Sequence, residues 1–263
     1  MKTENKIVLE TKNLDIGYCS KKGLQYLAKN LNITAEKKKL ICLLGKNGIG
    51  KSTLLKTISK TLHPLGGDVF VNTVNLKNAS PQFLAKKMGL VFTERIPDGE
   101  LTVFELVALG RQPYTNWLGK LSPLDLEKVH AALNMVHIAS IRDKKYHELS
   151  DGQLQKVMIA RALAQDTEII ILDEPTAHLD IHHTIEVFKL LHKLVESTNK
   201  TIIISTHEIN LALKLGNAFW LLLEDRFISG DLNELIGTNA FEKLFSKEQI
   251  LFDPRSKQFH IQP

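Results

Sequence analysis

The chain has 263 residues, a length that suits one domain or one domain with an inserted lobe. Hydrophobic residues make up 43% and charged residues 24%, which excludes a wholly disordered chain because enough apolar surface is available to bury. The two cysteines, Cys19 and Cys42, are too few for a disulfide scaffold and indicate reduced thiols. The 34 basic and 29 acidic residues leave a charge of +5, a surplus too weak to indicate nucleic acid as a partner.

The first part of the chain predicts strands followed by one helix. Alternating apolar and polar residues over 7–18 predict a half-buried strand, and a second strand is expected at 27–33. The unbroken apolar run over 40–44 is typical of a strand that is covered on both faces. A glycine-rich segment follows this run, and a helix is expected over 52–60.

The middle of the chain predicts a helical lobe. Short strands are expected at 69–71 and 88–92, and helices at 101–109 and 125–136, with no strand within 94–145. The apolar positions predicted to share one face of the second helix are Leu126, Val129, Leu133 and Val136.

Strands and helices alternate again after the lobe. Strands are expected at 168–172 and 201–205, helices at 184–194 and 208–215, and a mixed tail from Ala218. This alternation predicts an α/β fold with a mostly parallel sheet covered by helices. No apolar stretch approaches the roughly 20 residues that a bilayer span needs, and the polar first residues do not fit a secretory signal.

A phosphate-binding loop is the most specific local motif. Residues 45–52 read Gly-Lys-Asn-Gly-Ile-Gly-Lys-Ser and fit the pattern G-x-x-x-x-G-K-[ST] between a strand and a helix. Glycines permit positive φ angles, so that successive backbone N–H groups can surround a phosphate, and the following helix directs its positive end to the same point. Lys51 is expected to reach the β and γ phosphates and Ser52 to ligate Mg²⁺. The candidate nucleotide-binding residues are Gly45, Lys46, Asn47, Gly48, Ile49, Gly50, Lys51, Ser52 and Thr53.

Two acidic residues, Asp173 and Glu174, directly follow the apolar run over 169–172. Ligands of open α/β sheets bind at the carboxyl ends of strands, so Asp173 is expected to hold Mg²⁺ through its water shell. Glu174 is expected to polarise the attacking water. His207 follows the next predicted buried strand and can hydrogen-bond a γ-phosphate. Each residue is common alone, but beside the phosphate loop the set predicts ATP hydrolysis, with Glu174, His207 and Lys51 as the catalytic candidates.

One further motif identifies a family. Leu149-Ser150-Asp151-Gly152-Gln153 precedes a predicted helix at 154–164, and Ser150 with Gly152 suits a helix N-terminus that binds an anion. With this motif the sequence resembles the nucleotide-binding subunits of ATP-binding-cassette (ABC) transporters over nearly its whole length. The motifs that carry the resemblance occur in the family's order: Tyr18, the phosphate loop, the 149–153 signature, Asp173-Glu174, the 177–180 loop and His207.

The resemblance implies a fold and an assembly. The fold would be a P-loop NTPase (RecA-like) core with a mostly parallel sheet and an antiparallel β subdomain over 1–93 and 165–263, with a helical subdomain inserted at 94–164. Tyr18 would stack on adenine. Two copies would pair head to tail around two ATP molecules, with Asp180 at their interface. The residues of one copy that would cover the ATP of the other are Ser150, Gly152 and Gln153.

The sequence departs from the family pattern at two positions. Glu94 stands where the family usually has a glutamine that contacts Mg²⁺, although the alignment also allows Thr93 at that position. The resemblance therefore implies Ser52, Glu94 and Asp173 as metal ligands. Asp151 stands where glycine is commonest, and its side chain is expected to point away from the nucleotide.

The helical lobe resembles a subgroup of importers. The run over 101–114, followed by Trp117-Leu118-Gly119 and Leu121-Ser122-Pro123, is similar to importers of ferric siderophores, haem and vitamin B12, although ordinary helix packing also explains its pattern. The subgroup implies a peripheral subunit at the cytoplasmic face of the inner membrane. Transmembrane permease subunits would contact the groove lined by 94–114, and a substrate-binding protein would act indirectly.

Two alternatives remain beside this interpretation. A soluble ABC-type ATPase that is not coupled to transport would share the motifs, but the chain has no second cassette and no sustained heptad run. A metal site could be suspected from His178, His182 and His183. The expected loop at Asp180 explains better why these histidines lie close together in the sequence. No nearby set of carboxylates or cysteines completes a zinc geometry in the sequence.

Overall fold

The computed structural model describes residues 6–21, 23–92, 99–245 and 250–261. Among these residues, no helix is both long and apolar enough to cross a bilayer. The strands of this part of the chain are β1 (Ile7–Ser20), β2 (Gly23–Leu31), β3 (Thr34–Glu36), β4 (Leu40–Leu44), β5 (Gly66–Val71), β6 (Val74–Asn75), β7 (Met88–Val91), β8 (Ile169–Asp173), β9 (Thr201–Ser205), β10 (Ala218–Leu222), β11 (Phe227–Gly230), β12 (Ile250–Asp253) and β13 (Gln258–Ile261). Its α-helices are α1 (Lys51–Ile58), α2 (Pro81–Lys87), α3 (Val103–Ala108), α4 (Pro123–Met135), α5 (Asp151–Ala164), α6 (Ile181–Ser197), α7 (Ile209–Leu215) and α8 (Leu232–Gly237).

The chain separates into two compact units, one formed by Met1–Ala79 with Thr201–Pro263 and the other by Ser80–Lys200. The first unit contains an antiparallel sheet in the order β2-β1-β5-β6, in which β3 also pairs with β1. It also contains the parallel strands β10, β4 and β9, with β4 in the middle and β11 antiparallel to β10. The hairpin β12-β13 completes it. Parallel strands and a separate antiparallel sheet confirm the predicted α/β class.

Strand β4 positions the glycine-rich loop in the first unit. All five residues of β4 are buried, as are all five of β9, and the two strands pair in parallel with Leu40 opposite Ile202. Strands that are covered on both faces consist of unbroken apolar residues, so both were predictable with the bounds they have. Because β4 ends at Leu44, the loop leaves the carboxyl end of a buried strand that has a parallel neighbour on each side.

The second unit contains the parallel pair β7-β8 and the packed helices α3, α4 and α5. Each of these three helices begins with a capping box, in which the side chain of Thr102, Ser122 or Ser150 accepts the backbone N–H three residues later. Among the described residues of 99–145, an isolated bridge is the only β pairing, in agreement with the predicted helical lobe. The exact subdomain boundaries after residues 93 and 164 stay a prediction.

Two features of this unit differ from the sequence prediction. Helix α2 was not predicted because it has only seven residues, too few to show a helical period, and none of them is fully buried. Its start is marked instead by Ser80, whose hydroxyl accepts the Phe83 N–H, and by Pro81 at the first helical position. In α4, Leu126 is 39% exposed and Asp125 is buried, so the predicted apolar face is wrong at Leu126.

An ion pair explains the buried Asp125. Arg111 Nε donates to Asp125 Oδ1 at 2.8 Å, and the two side chains are only 4% and 5% exposed. Asp125 Oδ2 accepts both the backbone N–H and the hydroxyl of Ser122, and these bonds, followed by the bond from Arg111, lower the pKa of Asp125. Arg111 Nη1 also donates to the carbonyl of Ala164 at 2.7 Å, so this one guanidinium joins α4 to the end of α5.

We expect Arg111→Ala to lower the free energy of unfolding by about 3–5 kcal/mol, because it leaves the Asp125 carboxylate buried without its cation. Arg142→Ala is the matched control: Arg142 pairs with Asp143, but their side chains are 50% and 88% exposed, so we expect a change below about 0.5 kcal/mol. Urea unfolding at neutral pH measures both values. Equal changes in the free energy of unfolding of the two variants would show that burial does not determine how much an ion pair contributes to stability.

Candidate functional site

The loop between β4 and α1 has the backbone conformation that the phosphate-binding motif requires. Gly48 has φ +75° and Gly50 has φ +112°, both in the left-handed region where side chains are disfavoured. Gly45 is restricted by space instead, because a Cβ there would lie 2.6 Å from the Leu222 carbonyl oxygen. The loop therefore depends on its glycines for both conformation and close packing.

Lys51 lies inside this loop and is the first residue of α1. The residue is only 4% exposed, and its Nζ donates to the carbonyl oxygens of Gly45 at 3.0 Å and Lys46 at 3.2 Å. A buried ammonium requires such partners, because an unpaired charge away from water is strongly destabilised. The loop thus holds a positive charge at a helix N-terminus, an arrangement that attracts anions such as phosphate.

Two further predicted residues of the first unit lie near these elements. Tyr18 is 47% exposed and its hydroxyl is 2.8 Å from the hydroxyl of Thr53, which connects β1 to α1. The Thr206 N–H donates to the Leu43 carbonyl at 3.4 Å, so the chain leading to His207 follows the end of β4. His207 itself is exposed. These contacts place His207 on the segment beside the strand that leads into the phosphate loop.

The second unit presents the paired acids at the end of a strand. All five residues of β8 are buried, and Asp173, its last residue, is 4% exposed. Glu174 has φ +49°, a left-handed conformation that is uncommon for residues other than glycine and is often found at functional sites. Its carbonyl accepts the Ala177 N–H at 3.0 Å, which forms the turn after the strand. The backbone therefore turns sharply at the residue predicted to act on water.

The signature residues form the N-terminus of α5. Ser150 Oγ accepts the Gln153 N–H at 3.3 Å, and Gln153 Oε1 accepts the Ser150 N–H at 3.2 Å. Gly152 is packed against another segment, since a Cβ on it would lie 2.6 Å from His183 Cδ2. A side chain here would force the His183 ring to move, a reason for glycine that no local sequence pattern indicates.

Asp180 caps α6 and also contacts His183. Its Oδ1 accepts the His183 N–H at 2.8 Å, and His183 Nδ1 lies 2.9 Å from Oδ2. Because a carboxylate only accepts, Nδ1 carries the proton of the neutral ring. The backbone bond and then the side-chain bond from His183 lower the pKa of Asp180. His183 therefore brings the signature and the Asp180 loop together, a role that no local pattern indicates because its partner Gly152 is 31 residues away.

The predicted residues divide between the two units. The phosphate loop, Tyr18 and His207 belong to the first, and Asp173, Glu174, Asp180 and the signature belong to the second. The candidate metal ligand Glu94, with its alternative Thr93, lies outside the described residues.

A family model described as ABC transporter matches residues 28–177, which is more than half of the chain. The chain belongs to the ABC transporter ATP-binding family. It is therefore an ABC ATPase, and the fold expected from the resemblance is confirmed.

Known members of the ABC family are similar to the chain over most of its length. The iron(3+)-hydroxamate import ATP-binding protein FhuC of Bacillus subtilis is 35% identical over 253 residues, which cover 95% of this chain and 92% of that protein. A solved chain from an inward-facing ABC transporter of the metal-chelate type is 27% identical with a TM-score of 0.77, covering 97% and 95% of the two chains. The dimeric cassette MJ0796, bound to ADP and Pi, is 29% identical with a TM-score of 0.73, covering 85% and 98%.

We expect Gly152→Ala to lower the free energy of unfolding of this ABC ATPase by about 1–3 kcal/mol, because the added methyl overlaps the His183 ring. His183→Ala in the same chain should recover most of the loss, and urea unfolding of the four proteins of this double-mutant cycle measures the coupling. Gly237→Ala is the matched control, since a Cβ at that helical glycine meets nothing within 4 Å. A coupling energy near zero would contradict the packing assigned to Gly152.

Proposed function

We propose that the chain is the ATP-hydrolysing subunit of an importer for an iron chelate (a ferric siderophore), haem or cobalamin. The similarity to an iron(3+)-hydroxamate import ATP-binding protein over 95% of the chain carries this proposal. The run over 101–123 supports it, because its pattern resembles importers of this cargo class. The similarity to a metal-chelate type transporter supports it independently.

The proposed partners are a second copy of the chain and the permease subunits. The similarity to the dimeric cassette MJ0796 favours a head-to-tail pair with two ATP molecules between the copies. Exposed apolar side chains of the second unit offer a surface for the permease, which suits a peripheral subunit at the cytoplasmic face of the inner membrane. They are Leu101, Leu109, Tyr114, Trp117 and Leu118, of which Trp117 is 91% exposed. A substrate-binding protein outside the membrane would supply the cargo.

In this proposal each ATP is held by the first unit of one copy. The N–H groups and glycines of the loop surround the phosphates, Lys51 supplies a positive charge, and Tyr18 stacks on adenine. The buried Lys51 ammonium already bonds to oxygen atoms, so phosphate oxygens can replace partners that it has in the folded chain. Ser150, Gly152 and Gln153 of the second copy cover the γ-phosphate, and Asp180 lies at the interface of the copies.

Hydrolysis requires a water that is aligned with the γ-phosphate. Glu174 orients this water, and His207 donates a hydrogen bond to the γ-phosphate. Ser52 and Asp173, with Glu94, offer hydroxyl and carboxylate oxygens, the donors that Mg²⁺ prefers. When bound, Mg²⁺ would neutralise charge on the phosphates. Loss of the γ-phosphate would then separate the two copies and move the permease.

We expect Glu174→Gln to bind ATP but to hydrolyse it at least about 100-fold more slowly, because the amide cannot take a proton from water. This variant should accumulate as an ATP-bound dimer in size-exclusion chromatography, whereas Lys51→Ala should lose ATP binding. Lys189→Ala, at an exposed position of α6, is the control and should keep wild-type turnover. Full turnover by Glu174→Gln would refute the role proposed for Glu174.

Deletion of the gene should abolish uptake of one cargo. The measurement compares uptake of labelled ferric siderophore, haem and cobalamin in the deletion strain, with complementation by the wild-type chain or by Glu174→Gln. We expect only the wild-type chain to restore the lost uptake, because transport depends on hydrolysis. Unchanged uptake of all three cargoes in the deletion strain would contradict the importer proposal, while leaving the ATPase activity of the chain untouched.

A further inference from the structure

Three metal-ligating side chains lie together on the first turns of α6. His182, His183 and Glu186 each offer one ligand atom, and these atoms lie within 4.8 Å of one another. The spacing explains the cluster, because residues three and four positions apart share one face of a helix. His182 Nδ1 is 3.8 Å from Glu186 Oε1. No carboxylate was expected near these histidines from the sequence, and Glu186 on the same helix supplies one.

Neighbouring side chains hold two of the three ligands in place. Lys156 Nζ donates to Glu186 Oε2 at 2.8 Å, and the other carboxylate oxygen, Oε1, faces His182. Asp180 accepts from His183 Nδ1, which leaves the lone pair of the neutral ring on Nε2. A carboxylate behind a histidine is the usual partner of a metal-binding imidazole, because it fixes the tautomer and orientation of the ring. The cluster therefore has both possible ligands and supporting contacts.

We propose that His182, His183 and Glu186 bind a divalent first-row transition metal of the zinc class. Imidazole nitrogens with one carboxylate suit Zn²⁺, whereas Mg²⁺ prefers an all-oxygen environment. Three protein ligands leave further positions of the metal for water. The ligand atoms must approach the ion to about 2.0–2.2 Å, which small side-chain rotations can provide because the His182 side chain is 76% exposed. None of these three side chains is among the residues proposed to bind ATP or Mg²⁺, although His183 contacts two of those residues, Asp180 and Gly152.

A bound metal would stabilise the segment in which it lies. His183 also contacts Asp180 and Gly152, so an ion on its ring restrains the start of α6 and its contact with α5. A ligand that binds only the folded state raises stability by mass action. Zn²⁺ should therefore increase the melting temperature of the nucleotide-free chain in a concentration-dependent manner.

The test uses the full chain, purified without a histidine tag, treated with chelator and kept in excess Mg²⁺ without nucleotide. Isothermal titration with Zn²⁺ should give one ion per chain. His182→Ala and Glu186→Gln should each weaken binding by about tenfold or more, since each removes a ligand or its charge. His192→Ala should not change it: His192 also faces a glutamate one turn later, with Nε2 3.4 Å from Glu196 Oε1, but the described residues place no third ligand there.

Two further measurements distinguish loss of metal binding from loss of folding. Circular dichroism melting without metal should give similar values for the three variants and the wild type, because the altered side chains lie at the helix surface. Absorption of the Co²⁺ complex should show ligand-field bands that are lost in His182→Ala. The proposal is wrong if Zn²⁺ binds the wild type and His182→Ala equally well, or if His192→Ala weakens binding as much as His182→Ala does.

Discussion

The Lys51 ammonium is buried, and it donates hydrogen bonds to two carbonyl oxygens of its own loop. A charge away from water is tolerated only where such partners compensate its lost hydration. The loop can supply them because Gly48 and Gly50 adopt left-handed φ angles and because Gly45 leaves room for the Leu222 carbonyl. The strand β4, buried between two parallel neighbours, fixes where this loop begins. Charge, glycines and strand therefore form one arrangement that suits an anion.

Two helix N-termini of this chain carry residues that also belong to the proposed nucleotide site. Ser150 and Asp180 cap α5 and α6, and the family resemblance also assigns both residues to the nucleotide-bound dimer. The two roles are compatible for Ser150, because its hydroxyl accepts the Gln153 N–H through one lone pair and keeps its own proton for an external acceptor. A capping serine can thus contact a phosphate without uncapping its helix. In the proposed dimer, the Ser150 hydroxyl would therefore contact the phosphate at the positive end of the α5 dipole.

The sequence predicted the elements and motifs whose cause is local. Strands 40–44 and 201–205 were found with their observed bounds because both consist of unbroken apolar residues. Helix α2 was missed because a helix of seven residues, none of them fully buried, is too short to show a periodic signal. Leu126 was expected on the buried face but is exposed, and its neighbour Asp125 is buried instead because Arg111 pairs with its carboxylate. Interactions that depend on packing between distant segments are not contained in a local pattern.

His183 shows the same limit within the candidate site. From the sequence, His183 was expected only to lie near the Asp180 loop. In the structure its ring packs against Gly152, where a Cβ would overlap it, and its Nδ1 donates a hydrogen bond to Asp180. The glycine of the signature therefore has two physical reasons to be a glycine: access to a phosphate in the proposed dimer and the approach of this ring within one chain. The second reason operates without any nucleotide. Asp180 and Gly152 both contact the His183 ring, so the first turn of α6 is where the signature and the Asp180 loop meet through one side chain.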